Sequence, residues 1–445
     1  MKYFGTDGFR GEAGKVLTAD HAYKIGRYIG WYYSREHKGR IVIGKDTRRS
    51  SYMFEYALVA GIIASGCDAY LLHVTTTPSV AYVVRTEDFD CGVMVSASHN
   101  PYYDNGIKLM DGNGHKMSAS VEEAIEKYID GEGEEIPFAF GENVGVATDY
   151  AIGRNRYIGY LISLATRSYK GKRIGLDCSN GSTFNIAKSV FDALGAKTYV
   201  IGNEPDGLNI NKDCGSTHIE NLQKLVKEKE LDAGFAFDGD ADRCIAVDDN
   251  GNVIDGDYIL YICGTYLKRQ GRLEGNHVVA TVMSNLGFFK ALELQDVEYD
   301  VTTVGDKYVN EDMVAHGYVL GGEQSGHIIF AKHATTGDGI LTAIMLMEVM
   351  MEEKTSLSAL ASGMKKYPQL LKNLPVTDKD AVMNHPEVIA CQEAITNELR
   401  NDGRILLRPS GTEPVIRVMV EAGTDEICKK YVDQMIDKIK ELSLA

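Results

Sequence analysis

One pattern occurs three times along this chain and constrains its fold more than any other feature. In each copy a short apolar run enters a loop of small polar residues, a helical pattern follows, and a second apolar run closes the unit. The first copy spans Arg40 to Val74, with Ile41-Val42-Ile43, a loop from Lys45 to Ser51, a helix through Gly66, and Ala69 to Val74. The second spans Arg173 to Ile201, with Asn180-Gly181-Ser182 in its loop and a helix near Phe184 to Leu194. The third spans His277 to Val304, with Ser284-Asn285-Leu286-Gly287 leading a helix to about Leu294. Uninterrupted apolar strands fit a sheet covered on both faces, so each copy reads as a β-α-β unit. Units of about 30 residues placed about 100 apart predict three similar α/β domains.

The end of the chain reads differently. Tyr367-Pro368 and Pro375 punctuate it, and strands are expected at Gly403 to Leu407 and Val415 to Glu421. A last helix puts Ile427, Tyr431, Met435, Ile439 and Leu442 on one stripe. The expected fold class is therefore α/β, with three related α/β domains of mixed sheets and a smaller C-terminal α+β domain. Their boundaries are expected at residues 1–150, 151–253, 254–368 and 369–445.

Composition narrows the function. The formal net charge of −16 would repel a nucleic-acid backbone or an anionic membrane, so neither is an expected partner. Eight cysteines lie at long spacings without a C-x-x-C pair, which indicates neither a zinc cluster nor a disulfide framework. Met1 to Gly14 is polar and glycine-rich, unlike a secretory leader, so the cytoplasm is the expected location. The longest apolar runs, Tyr56 to Ala64 and Ile340 to Met347, fall well short of the roughly 20 residues that cross a bilayer and read as buried helices. The methionines from Met345 to Met351 read as core within such a helix.

Four constellations could carry chemistry. Ser98 stands at the end of the apolar strand Gly92 to Val95, in Ser96-Ala97-Ser98-His99-Asn100-Pro101, where a strand end can present a hydroxyl. A hydrolase elbow would need small glycines where Ala97 and His99 stand, so that reading is weak; a loop-capping serine is the bland alternative. If the strand continued through it, His99 would face away from Ser98.

Asp238-Gly239-Asp240-Ala241-Asp242-Arg243 sets three carboxylates at alternate positions after the apolar stretch Ala233 to Phe237. Two carboxylates at about 4 Å repel by on the order of 4 kcal/mol at an effective dielectric of 20, so gathering three calls for a cation. Oxygen ligands favour magnesium, manganese or calcium over zinc. An EF-hand loop fails here, because Arg243 takes the place of its glycine and Asp249 that of its bidentate glutamate. Magnesium commonly keeps positions open for phosphate oxygens, so a phosphorylated group is expected close by.

Arg408-Pro409-Ser410-Gly411-Thr412-Glu413-Pro414 joins the two strands of the tail, with Arg417 just downstream. A forked guanidinium, two hydroxyls and backbone N–H groups beside glycine suit a phosphate, although S-G-T is also an ordinary hairpin sequence. Gly321-Gly322-Glu323-Gln324-Ser325-Gly326-His327 offers donors and acceptors for sugar hydroxyls and an imidazole for proton transfer, or is a surface turn. Gly5 to Gly11, GTDGFRG, lacks the lysine of a P-loop and says little by itself.

In order, GTDGFRG, SASHNPYYDNGIKLM, FDGDADRC, GGEQSGH and RPSGTEPVIRVMVEA resemble the α-D-phosphohexomutase superfamily from Gly5 to Ala422. The resemblance implies four domains around a central cleft and an isomerase that works by intramolecular phosphoryl transfer. It implies that Ser98 carries the phosphoryl group and that Asp238, Asp240 and Asp242, with the phosphate on Ser98, hold one magnesium ion per chain. It further implies that Arg10 and Lys108 flank the reacting group, that Arg243 supports the metal loop, and that Glu323 and Ser325 grip sugar hydroxyls. His327 is then a candidate proton carrier, and Arg408, Ser410, Gly411, Thr412 and Arg417 hold the phosphate that is not reacting. Gln324 is typical of the glucosamine branch, which implies a glucosamine phosphate as substrate. A hexosamine 1,6-bisphosphate activator is the expected partner, and a monomer or homodimer the expected assembly. Lys307 stands where the family more often has arginine, a change that keeps charge but loses the bidentate fork. The glucose and mannose branches share all these catalytic residues, and a catalytically silent sugar-phosphate binder is the reading from another class.

Overall fold

The computed structural model describes residues 2–410 and 414–444. Among the described residues the strands form four sheets, and the chain divides into two compact units. Unit 1 comprises residues 1–283 and 297–362, and unit 2 comprises residues 284–296 and 363–445.

Unit 1 holds three of the sheets. The first contains β1 (Phe4–Gly5), β2 (Gly8–Glu12), β3 (Arg40–Lys45), β4 (Asp68–Val74), β5 (Cys91–Val95), β6 (Asp104–Asp111) and β7 (Ala147–Asp149), in the order β1-β2-β6-β5-β3-β4-β7. The second contains β8 (Arg173–Asp177), β9 (Lys197–Ile201), β10 (Ala233–Phe237), β11 (Cys244–Val247) and β12 (Val253–Ile254), in the order β12-β11-β10-β8-β9. The third contains β13 (His277–Thr281), β14 (Glu298–Thr302), β15 (Leu320–Gly322) and β16 (Ile328–Phe330), in the order β14-β13-β15-β16.

The strands of the three expected β-α-β units are present as the parallel pairs β3/β4, β8/β9 and β13/β14; the helices Arg49–Ala64 and Ala187–Ala193 join the first two pairs, whereas the helix Leu286–Glu293, between β13 and β14 in sequence, falls in unit 2. In each sheet the opening strand of the unit has its successor on one side and a later parallel strand on the other: β5 beside β3, β10 beside β8, and β15 beside β13. Loops leaving the carboxyl ends of such neighbours diverge and open a crevice. The loops after β5, β10 and β15 carry Ser98, the three aspartates and the GEQSGH sequence, respectively. One topological rule thus places all three motifs of unit 1 at strand ends.

Burial follows the apolar pattern. Ile41, Val42, Ile43, Val93, Met94 and Val95 are fully buried, as is Ile340 to Ile344 in the helix Gly339–Glu353. Met345, Met347 and Met350 are core residues, as expected. Tyr56 departs from expectation at 65% exposed, because it lies on the outer face of the helix Arg49–Ala64, while Phe54, Leu58 and Ile62 face inward. Among the described residues no helix is long and apolar enough to cross a membrane.

Unit 2 holds the fourth sheet, ordered β17-β19-β18, from β17 (Gln369–Pro375), β18 (Gly403–Pro409) and β19 (Val415–Ala422). Sequence reading missed β17, whose residues Leu370-Leu371-Lys372-Asn373 do not alternate apolar with polar although their burial does. The last helix, Asp425–Glu441, is capped by Thr424 and buries Cys428, Tyr431, Val432, Met435, Ile436 and Ile439 against this sheet. Ile427 is 38% exposed, so the apolar stripe begins one residue later than expected.

Candidate active site

Strand β5 is buried along its whole length and ends at Val95, after which the chain leaves the extended conformation. Ser98 has φ of +51°, in the left-handed region that costs a side-chain-bearing residue about 1–2 kcal/mol. Every polar group of this residue is engaged. Its N–H donates to Ser96 Oγ at 3.0 Å, and its C=O accepts from Arg48 Nη2 at 3.1 Å and Asn211 Nδ2 at 2.8 Å. Its hydroxyl donates to Asp238 Oδ2 at 2.5 Å. The turn also settles the placement of His99, which would face away from Ser98 only if the strand continued through it. The strand does not run through it, and His99 Nδ1 lies 3.2 Å from Ser98 Oγ. Burial, together with Arg243 and Arg10, lowers the His99 imidazole to about 4, so it is neutral near pH 7.

The aspartates occupy the hairpin between β10 and β11, where Phe237 pairs with Cys244 and the loop is closed by Ala241 at φ of +60°. Asp238, Asp240 and Asp242 are buried, and each offers a carboxylate oxygen within 4.8 Å of the others. Gly239 is required by contact: a Cβ there would lie 2.5 Å from the Ser98 carbonyl oxygen. The metal loop and the serine loop therefore touch backbone to backbone.

Lys108 supplies most of the positive charge around this acidic trio. It sits on β6 and is 5% exposed, with Nζ 2.8 Å from Asp240 Oδ2, 3.2 Å from Asp242 Oδ2 and 3.2 Å from Asp7 Oδ2. Burial opposes its charge, but the three carboxylates hold it well above the usual lysine range. Asp7 in turn pairs with Arg10 and accepts from Lys116 at 3.2 Å. Burial would raise the Asp7 carboxyl, yet Lys108, Lys116 and Arg10 hold it far below the usual carboxylate range. Asp238 moves the other way, pushed well up by burial and by the Asp242 and Asp240 charges. Arg243 donates its N–H to Asp238 Oδ1 at 3.1 Å, and its Nε lies 3.9 Å from Asp242 Oδ1.

The donor set fits a hard divalent cation. It consists of oxygen only, and buried Asp240 Oδ1 and Asp242 Oδ1 have no hydrogen-bond partner among the described residues. A buried carboxylate oxygen left this way is costly unless an ion takes it.

His327 is buried beside Asp242, with Nδ1 3.8 Å from Asp242 Oδ1 and Nε2 3.6 Å from Asp306 Oδ2. Burial opposes its charged form, while Asp306, Asp242 and Glu323 raise it to about 9. Gly337 N–H donates to Nε2 at 3.0 Å, a contact that only a ring unprotonated at that nitrogen can make, so it opposes the carboxylates, which favour the charged ring. Glu323 Oε1 accepts from Gly305 N–H at 3.0 Å, and Ser325 is exposed at the tip of the same loop. A cavity of about 920 Å³ adjoins the centre and is lined in part by Asp7, Lys108, Asp242, Asp306, Lys307 and Tyr308.

Ser98, the three aspartates, Arg10, Lys108, Arg243 and His327 thus share one buried centre. Sequence reading missed Asp7, Thr77, Lys116 and Asp306. Asp7 lies in GTDGFRG, whose charge pattern was a signal too weak to use alone. Thr77 donates its N–H to the Asp240 carbonyl at 2.9 Å and its hydroxyl to Asp240 Oδ2 at 2.5 Å; nothing in Thr75-Thr76-Thr77-Pro78 announces this.

In unit 2, Arg408 on β18 stands directly opposite Arg417 on β19. Among the described residues Arg417 Nε is buried without a hydrogen-bond partner, while Ser410 is buried, with its N–H on the Val415 carbonyl. Like charges facing across a ladder are destabilising, and an anion between them relieves the repulsion. Gly411 and Thr412 lie outside the described residues.

A serine hydroxyl bonded to a buried, cation-ready aspartate trio, on three sheets that share one topology, defines a phosphoryl-transfer enzyme. The chain belongs to the phosphoglucomutase/phosphomannomutase family, within the α-D-phosphohexomutase superfamily. It matches the family's alpha/beta/alpha domain I over residues 1–135, domain II over 155–251, domain III over 255–367 and the C-terminal domain over 371–438. The phosphoglucosamine mutase of Lachnoclostridium phytofermentans is 65% identical over 98% of this chain and 97% of its own. Two solved structures share the fold. A phosphoglucomutase/phosphomannomutase family protein from Burkholderia thailandensis superposes with a TM-score of 0.80 at 23% identity, over 99% of this chain and 97% of that one. The N-acetylphosphoglucosamine mutase of Aspergillus fumigatus, in complex with GlcNAc-6P and magnesium, superposes with a TM-score of 0.72 at 17% identity, over 99% and 95%.

Proposed function

We propose that this enzyme interconverts glucosamine 6-phosphate and glucosamine 1-phosphate through a phosphoserine at Ser98 and a 1,6-bisphosphate intermediate. It would do so in the cytoplasm, supplying reactions that build amino-sugar nucleotides and cell-wall precursors. The observation that carries the reaction type is the 2.5 Å hydrogen bond from Ser98 Oγ to Asp238 within the buried trio. Gln324 and the 65% identical phosphoglucosamine mutase support glucosamine as the sugar. The four family segments support domain boundaries near residues 150, 253 and 368.

In the forward direction the Oγ–P bond of phospho-Ser98 breaks as a bond forms between phosphorus and O1 of glucosamine 6-phosphate. The O1 proton leaves for a base of the site, for which His327 is the candidate. The departing Oγ takes up a proton; the bisphosphate then turns end for end, and as its O6–P bond breaks the phosphoryl group passes back to Oγ, whose proton ends on O6, leaving glucosamine 1-phosphate. Arg10 and Lys108 neutralise charge on the phosphoryl oxygens, which is most of what such a transfer asks of a protein. Asp238, Asp240 and Asp242, with the phosphate on Ser98, would hold one magnesium ion, which when bound adds further positive charge against those oxygens. Arg243 keeps Asp238 oriented through its backbone N–H. Glu323 and Ser325 would grip sugar hydroxyls, while Arg408, Ser410, Gly411, Thr412 and Arg417 would hold the second phosphate.

A coupled assay with glucosamine 6-phosphate, magnesium and a trace of a hexosamine 1,6-bisphosphate, run beside glucose and mannose phosphates, tests this. Glucosamine phosphate should turn over fastest; a dominant mannose or glucose rate overturns the substrate. Intact mass should show one phosphoryl group that Ser98→Ala loses together with activity. Full activity in that variant overturns the mechanism, and absent turnover with every sugar leaves a phosphosugar binder.

A further inference from the structure

We infer that Arg48 and Asn211 form a clamp that holds Ser98 in its left-handed conformation, and that they are positioning residues for phosphoryl transfer. The inference deepens the proposed function and rests on its assignment of Ser98 as phosphoryl carrier.

The clamp consists of two donors shared between two acceptors. Arg48 Nη2 reaches the Ser98 carbonyl at 3.1 Å and the Asn100 carbonyl at 2.6 Å. Asn211 Nδ2 reaches the same two oxygens at 2.8 Å and 3.0 Å. Arg48 precedes the helix Arg49–Ala64 beside the first sheet, whereas Asn211 follows β9 of the second. The peptide carrying the serine is thus gripped from two segments more than 100 positions apart in sequence.

Arg48 is fully buried and paired with Asp46. Asp46 also accepts from Ser51 Oγ at 2.7 Å and from Ser96 Oγ at 2.6 Å, and Ser96 Oγ in turn accepts the Ser98 N–H. A buried ion pair is a poor way to stabilise a fold, but a rigid guanidinium fork is a good way to fix two carbonyl oxygens at once. Asn211 has a left-handed backbone of its own, at φ of +58°, which asparagine tolerates better than most residues. Without the clamp, the backbone of Ser98 would relax toward an ordinary conformation and carry Oγ off Asp238. Misplacing a reacting atom by about 1 Å can cost on the order of a hundredfold in rate.

The test compares the magnesium-loaded wild type with Asn211→Asp and Arg48→Lys. Asn211→Asp keeps size and backbone preference but removes the amide donor, and Arg48→Lys keeps charge but loses the fork. Turnover of glucosamine, glucose and mannose phosphates, magnesium half-saturation and melting temperature are measured, and the Asn211→Asp variant is crystallised. The clamp predicts that kcat falls by about tenfold to a hundredfold while KM and magnesium half-saturation stay at wild-type values, with Ser98 leaving the left-handed region in the crystal. A wild-type kcat in Asn211→Asp overturns it, as does a loss of kcat that rises and falls with KM and melting temperature. A wild type inactive on every phosphosugar overturns the mutase reading instead. The crystal then decides the clamp, and an unmoved Ser98 with Oγ still on Asp238 rejects it.

Discussion

Thr77 holds Asp240 twice, by backbone N–H to carbonyl at 2.9 Å and by hydroxyl to Oδ2 at 2.5 Å. A residue beside the first sheet therefore fixes the orientation of a candidate metal ligand beside the second. Outer-shell partners of this kind typically contribute about 10- to 100-fold in metal affinity. Thr77→Val should raise the magnesium concentration for half-maximal activity by about that factor, while Thr77→Ser should stay near wild type. Magnesium titrations of activity and of heat released on binding would check both.

Lys108 is the counter-charge that the aspartates have before a metal binds. Lys108→Met should leave Asp7, Asp240 and Asp242 short of a partner and destabilise the metal-free protein by about 3–5 kcal/mol. Magnesium should restore part of that loss, because a ligand bound only by the folded state stabilises it. Urea denaturation with and without magnesium would show the difference. A variant equally stable to wild type without metal would reject this account of the charge balance.

Asp338 caps the helix Gly339–Glu353, accepting from Leu341 N–H at 3.0 Å and from the Tyr157 hydroxyl at 2.8 Å. Burial pushes its carboxyl up to about 6 despite these donors. A folded-state value above the unfolded 3.8 means that the folded protein binds the extra proton. This contribution to stability is full below pH 3.8 and is lost as pH rises through about 6. Tyr157→Phe removes a donor that favours the carboxylate, so the loss should extend to higher pH. Denaturation midpoints measured from pH 4 to 8 should show the wider window in the variant.

Arg417 faces Arg408 across β18 and β19, so its replacement should separate binding from stability. If Arg417 holds the second phosphate as proposed, Arg417→Met should raise KM for the sugar phosphate by about 10- to 100-fold, with a smaller change in kcat. The unliganded variant should stay within about 1 kcal/mol of wild-type stability, since like charges opposite one another on a ladder contribute no net stabilisation. Steady-state kinetics and thermal melting would read the two effects separately.

Much of this protein could be read from residue order. The strands of the three β-α-β units appear where apolar runs alternate with helical patterns, because burial on both faces of a parallel sheet leaves a mark within a few residues. The aspartate trio is equally local: three carboxylates at alternate positions after a buried strand must meet a cation wherever the strand lies. Edge strand β17 left no such mark, since its residues do not alternate apolar with polar.

Short-range periodicity and spacing were enough to reveal the strands of the β-α-β repeat, the acidic loop and the serine just beyond β5. Only the tertiary structure decided that His99 turns toward Ser98, that His327 lies buried against Asp242, and that Thr77, Arg48 and Asn211 brace the centre. These contacts depend on how the loops at separate sheet ends meet, which is set by packing and by one left-handed turn at Ser98. No pattern within a few residues encodes a hydrogen bond to a partner 50 or more positions away, so the bracing residues were invisible until the loops were brought together.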